Sequence, residues 1–191
     1  MNAKIKILWY LLIAILILWT IATFWVQYTG KEESHLLGES NALKSALIVY
    51  NPDPLYDLDR QVSHRFAEGL IQKGYKVKIL TTGLAKLDSG DYDLFVLCAN
   101  TYNWAPDWKI MRYIKNHSIL EGRNVVAITL GAGSTASAKR KLDKAIMDQG
   151  AQLLRSESLW LMRPNDESRI EENNVSVATD MAYQMALEIE D

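Results

Sequence analysis

Residues 45–80 read SALIVYNPDPLYDLDRQVSHRFAEGLIQKGYKVKIL, and their pattern sets the kind of fold to expect. Ser45 to Tyr50 is a short run of apolar and β-branched residues, as a buried strand requires. After it Leu58, Val62, Phe66 and Leu70 recur every four positions, which places them on one face of a helix. Gly74 ends that helix, and Lys76 to Leu80 forms the second strand. A strand, a helix and a strand in close succession make the repeating unit of a parallel sheet.

Toward the C-terminus the alternation continues. LFVLCA (Leu94 to Ala99) is the third strand, and the short crossover before it leaves room for at most a small second helix. Trp108, Met111 and Ile114 mark a third helix, and NVVAITL (Asn124 to Leu130) is the fourth strand. Ala138, Leu142, Ala145 and Ile146 then share one helix face, which Gly150 closes. AQLL and ESLWLM compete for the fifth strand, and Ala178, Met181, Ala182, Met185 and Ile189 form the buried stripe of a C-terminal helix. Strands apolar on both faces and separated by helices imply a doubly wound α/β domain with right-handed crossovers, spanning 45–191. In such a sheet a ligand sits beyond the carboxyl ends of the strands, so the loops after Tyr50, Ala99 and Leu130 are the expected site.

Toward the N-terminus the pattern changes. Ile7 to Val26, ILWYLLIAILILWTIATFWV, is uncharged throughout, and at about 1.5 Å per residue it matches a hydrocarbon layer of roughly 30 Å. Trp9 and Tyr10 at one end and Trp25 and Tyr28 at the other suit the two membrane interfaces, while Trp19 falls between them. The apolar run exceeds that of a cleaved signal and lacks a small-x-small cleavage site, so residues 1–28 are expected to be a transmembrane anchor contacting lipid through residues 7–26. Lys4 and Lys6 precede the run, and Lys31 beside Glu32 and Glu33 follows it, which predicts a single-pass protein with an extracytoplasmic domain. Residues 29–44, polar and without a sustained apolar period, are expected to be a juxtamembrane spacer.

Composition narrows the function classes. The 191 residues carry a formal charge of −2 and no basic tract, which excludes nucleic acid as the expected partner. The one cysteine, Cys98, lies inside an apolar run and is expected to be a core residue. His35, His64 and His117 lack the spacing of a zinc site, and no Ser-His-Asp arrangement, metal cluster or catalytic pair stands out.

ALIVY leading to RQVSHRFAEGLIQKGYKVKIL, then DYDLFVLCANTYNWAPDWKIMRYI, then GRNVVAITLGAGSTASAKRKLDKAIMDQGAQLL together resemble the flavodoxins and flavodoxin-like proteins. The resemblance covers nearly all of 45–191 and implies about five parallel strands in the order 2-1-3-4-5. It also implies FMN as cofactor and electron transfer, or flavin reduction, as activity. By position in the family, Tyr102, Asn103 and Trp104 would lie against the isoalloxazine ring, and Gly131, Ala132 and Gly133 would line another edge. The loop after the first strand, with Asn51, Tyr56 and Arg60, would face the phosphate. A membrane redox protein is the implied partner.

That first loop departs from the family pattern. Flavodoxins hold the FMN phosphate in a loop rich in Ser, Thr and Gly, whereas here it is NPDPLYDLDR, Asn51 to Arg60. Pro52 and Pro54 each remove a donor, and Asp53, Asp57 and Asp59 compete for the helix amides. Weak or absent FMN binding in the ordinary pose follows as an expectation. The alternative function is therefore a flavodoxin-like domain that has lost FMN and serves as a membrane-anchored binding or assembly module. A second anion site is conceivable at GAGST, Gly131 to Thr135, which opens a helix carrying Lys139, Arg140 and Lys141.

Overall fold

The computed structural model describes residues 3–28, 30–116 and 118–190; His117 lies outside them. A long helix, α1 (Ala3–Tyr28), comes first, and by length and composition it is able to cross a membrane. A sheet follows, built of β1 (Ser34–Leu37), β2 (Lys44–Tyr50), β3 (Tyr75–Thr81), β4 (Leu94–Tyr102), β5 (Ala105–Pro106), β6 (Asn124–Gly131) and β7 (Gln152–Trp160). The helices between and after the strands are α2 (Leu58–Gln72), α3 (Thr82–Ala85), α4 (Trp108–Asn116), α5 (Ala136–Met147) and α6 (Asn174–Leu187).

The strand order is β1-β3-β2-β4-β6-β7, with β5 folded back on the end of β4. The parallel strands β3, β2, β4, β6 and β7 reproduce the expected order, and the structure adds two short antiparallel pieces. One is β1, which lies within the stretch read as spacer and pairs Ser34 with Leu80 through Leu37 with Val77. Four residues with no alternation give no strand signal alone; the exposed edge of β3 supplies the hydrogen bonds that order them. The two candidates for the fifth strand are one strand. A register shift opposite Val125 and Val126 leaves Leu154 unmatched and lets AQLL run on into ESLWLM.

Alternation along the strands feeds two cores. Ala46, Ile48, Tyr50, Val96 and Cys98 face α2 and α6, whereas Leu47, Val49, Phe95 and Leu97 face α3, α4 and α5. The stripe Leu58, Val62, Phe66 and Leu70 is buried as its spacing requires. Gly69 lets α2 meet α6 closely, since a Cβ there would lie 2.6 Å from the Tyr183 carbonyl and 2.7 Å from Ala186 Cβ. Cys98 is fully buried and its thiol is pushed up to about 12 by burial, so it is an inert core residue. In α4 the buried residues are Ile110, Tyr113 and Ile114; Trp108, expected in that stripe, packs instead against α1.

Candidate functional site

At the carboxyl ends of the strands, the loop after β2, the end of β4 and the end of β6 surround a cavity of about 250 Å³. Its walls include Asp53, Tyr56, Thr101, Tyr102, Gly131 and Ala132, closed by Leu55, Leu58 and Leu161 and, from α1, Val26. Gly131 is needed for this closeness, because a Cβ would lie 2.9 Å from Thr135 Cγ2 and 3.1 Å from Thr101 Cβ. Of the residues expected at a site, Tyr56, Tyr102, Gly131 and Ala132 meet here.

The others lie elsewhere. Asn51 is buried behind the loop, its carbonyl accepting from Asn100 Nδ2 at 2.9 Å and its Oδ1 from the Thr82 hydroxyl at 3.3 Å. Arg60 is clasped by Asp57 through Nε at 2.8 Å and Nη2 at 2.7 Å, so its charge is answered within the first turn of α2. Gly133 lines a neighbouring cavity with Lys139, Trp160 and Arg163. Asn103 and Trp104 form the turn between β4 and β5, with φ of 51° and 57°. Both central residues of a two-residue hairpin take positive φ, a conformation that is costly for a bulky tryptophan and persists only where surroundings hold it. Here Asn103 Nδ2 donates to Thr23 Oγ1 at 3.1 Å, and Lys141 Nζ donates to the Trp104 carbonyl at 3.2 Å. The turn is thus tied to α1 and α5, and the Trp104 ring is exposed.

The first loop is organised by its own carboxylates. Asp53 Oδ1 accepts from the amides of Leu55 at 2.6 Å and Tyr56 at 2.9 Å, and its Oδ2 accepts from the Tyr102 hydroxyl at 2.5 Å. Asp59 accepts from the amides of Asp53 at 2.6 Å and Arg60 at 2.7 Å, and from Asn100 Nδ2 at 2.9 Å. The amides of Asp53, Leu55, Tyr56 and Arg60, which an anion would need, are therefore spent. An FMN phosphate does not fit this loop: it would meet occupied donors and two carboxylates.

Beneath the loop lies a polar layer that the sequence pattern does not reveal. Asn100 joins Asp59 to Asp107, whose Oδ2 accepts from the Asn100 amide at 3.2 Å and whose Oδ1 accepts from the Ile110 amide at 2.9 Å at the start of α4. Burial raises the Asp59 and Asp107 carboxyls to about 7, against the pull of the donors they accept from. Burial, with Asp53 beside it, also raises the Tyr102 hydroxyl above its ordinary value. His35 and His64, distant in sequence, meet with ring centroids 4.8 Å apart, yet no metal-binding cluster is present among the described residues. No spacing rule brings these groups together, since Asn51 follows β2 and Asn100 lies near the end of β4.

No protein-family profile matches this chain, and no curated protein matches it. Solved structures do. A flavodoxin from the domain Archaea superposes with a TM-score of 0.53 at 11% identity, covering 77% of this chain and 99% of that one. The flavodoxin of Megasphaera elsdenii gives 0.54 at 12% identity, over 73% of this chain and 98% of that one. The flavodiiron protein of Giardia intestinalis gives 0.58 at 12% identity over 76% of this chain but only 35% of its own length. With its parallel sheet in the order 2-1-3-4-5, helices on both faces and these superpositions, the domain has the flavodoxin fold.

Proposed function

We propose that this chain is a membrane-tethered electron-transfer protein that seats a flavin by its ring at the strand ends, without the phosphate clasp of the first loop. The observation that carries the reading is the cavity itself, in which Tyr56, Tyr102, Gly131 and Ala132 from three separate segments converge beyond the sheet. Aromatic side chains there offer a flat ligand contacts worth about 0.5–1.5 kcal/mol beyond burial. A bound flavin supplies the redox chemistry, and the chain's own residues border the ring and exclude water. FMN is the form that the fold resemblance implies, and its phosphate would have to point away from Asp53 and Asp59. A membrane redox protein is the expected partner, since α1 would hold the site at the bilayer.

The test is a titration of the full-length chain in detergent with FMN and with riboflavin, followed by flavin absorbance and fluorescence. The expected result is quenched, bound flavin with dissociation constants that agree within about threefold, because the phosphate adds nothing. A second reading, that of a flavin-free binding or assembly module, has only the saturated amides of the first loop behind it. Absence of binding to both flavins would select it.

Lys4 and Lys6, in the first turns of α1 ahead of the apolar run, favour a domain outside the cytoplasm in this proposal. Protease added to intact cells is then expected to digest the domain, and complete protection would reverse the orientation.

A further inference from the structure

We propose that a cavity at the foot of α1 holds the phosphodiester headgroup of an anionic phospholipid. The inference rests on the reading that α1 spans a bilayer. Its starting point is that the end of α1 is packed against the domain. Trp108 donates its amide to Gln27 Oε1 at 2.8 Å, and its ring meets Phe24 and Tyr28 edge-on with centroids 5.3 and 6.1 Å away. Gln27 is 1% exposed, so this contact is closed to solvent. The last turn of the apolar run, from Thr23 to Val26, already touches the domain, so the hydrocarbon ends near it, Tyr28 sits at the interface, and whatever adjoins Tyr28 sits at the depth of the headgroups.

What adjoins it is a cavity of about 210 Å³ between the end of α1 and helices α3 and α4. Lys86, Lys109 and Arg112 line it together with Tyr28 and one acid, Glu32. The Glu32 carboxylate accepts from the Thr81 hydroxyl and keeps its charge, so three cations face a single anion in the lining. Lys109 lies 5.9 Å over the Tyr28 ring and 3.5 Å from the Tyr28 carbonyl, which fixes a cation at the C-terminal end of α1. Arg112 is exposed and has no carboxylate partner among the described residues. A guanidinium of this kind takes phosphate oxygens in a two-pronged pair, while the lysines act as point charges. The cations stand roughly 60–85 residues beyond α1 in the chain, outside the stretch of about 15–20 residues that governs insertion, so they say nothing about orientation. They are brought to the membrane by folding.

The experiment uses the full-length chain. It is first floated with vesicles of phosphatidylcholine, alone or mixed with phosphatidylglycerol. Lipid retention on the protein is then measured by native mass spectrometry from micelles containing both lipids. The expected result is preferential retention of phosphatidylglycerol. It should weaken about fivefold for each charge removed, and on the order of a hundredfold in the triple variant K86Q/K109Q/R112Q. K144Q, which alters a distant surface cation paired with Asp148, should retain lipid as the parent does. An unchanged circular dichroism melt shows that the triple variant is folded. Displacement of the lipid by millimolar inorganic phosphate would reassign the cavity to a free anion and overturn the proposal. Flotation without any preference for phosphatidylglycerol would sink this inference alone, whereas failure to float with either vesicle would sink the membrane reading with it.

Discussion

Replacing Asp53 with serine is expected to make the site prefer FMN over riboflavin by at least about tenfold, where the parent chain hardly distinguishes them. The Asp53 carboxylate holds the amides of Leu55 and Tyr56 and accepts from the Tyr102 hydroxyl. Its removal releases two main-chain donors and one phenol toward the same space, and a serine leaves a hydroxyl of the kind phosphate loops use. It also deletes a charge that would oppose a phosphate by about 4 kcal/mol at 4 Å and an effective dielectric of 20. Asp59 stays in place and still occupies the amides of Asp53 and Arg60, which is why the gain stops well short of a complete clasp. The measurement is the pair of dissociation constants for each flavin in the parent and in D53S. An FMN to riboflavin ratio that stays near unity in D53S would show that the first loop does not govern the phosphate at all.

A larger effect on stability is expected from Asn100→Asp. Asn100 Nδ2 donates to the Asn51 carbonyl and to Asp59 Oδ2, so an aspartate there would aim an acceptor at two acceptors. It would also put a third carboxyl beside Asp59 and Asp107, both buried. An uncompensated buried charge costs about 3–5 kcal/mol, which is a large part of the stability of an ordinary domain.

The cost should depend on pH, and the parent chain already has a slope of the same sign. Burial raises Asp59 and Asp107 to about 7 in the folded state, against an ordinary value of 3.8. The folded chain therefore binds more protons than the unfolded chain between those values. The stability this contributes is complete below about 4 and is lost as pH rises through about 7. Burial lowers His64 below 6.5, which acts in the opposite sense and fades above its ordinary value, so the two aspartates outweigh it between pH 6.5 and 8.5. Across it the parent is expected to lose on the order of 1 kcal/mol, a few degrees in melting temperature, and N100D to lose more. Thermal melts at the two pH values check both chains; a flat profile in the parent would mean that the two aspartates are not held neutral by burial.

Much of the fold is legible in the chain itself. The four-residue recurrence of Leu58, Val62, Phe66 and Leu70, the β-branched runs around Ile48, Val96 and Val126, and the uncharged stretch from Ile7 to Val26 are local signals. Each depends only on the residues that carry it, because helix and strand periods are properties of the backbone. The acidic, proline-containing first loop is legible for the same reason: a carboxylate a few residues from an unpaired amide will find it.

Tertiary structure alone decided the rest. Asn100 meets Asn51 and Asp59, and Tyr102 meets Asp53, because β2 and β4 are neighbours in the sheet; sequence period does not encode that adjacency. The strand Ser34–Leu37 exists because β3 offers it a free edge. Trp108, whose spacing assigns it to the buried stripe of α4, turns to Phe24 and Tyr28 because the end of α1 comes to rest there. Periodicity says which face of an element is apolar, and only the packed chain says what that face will touch.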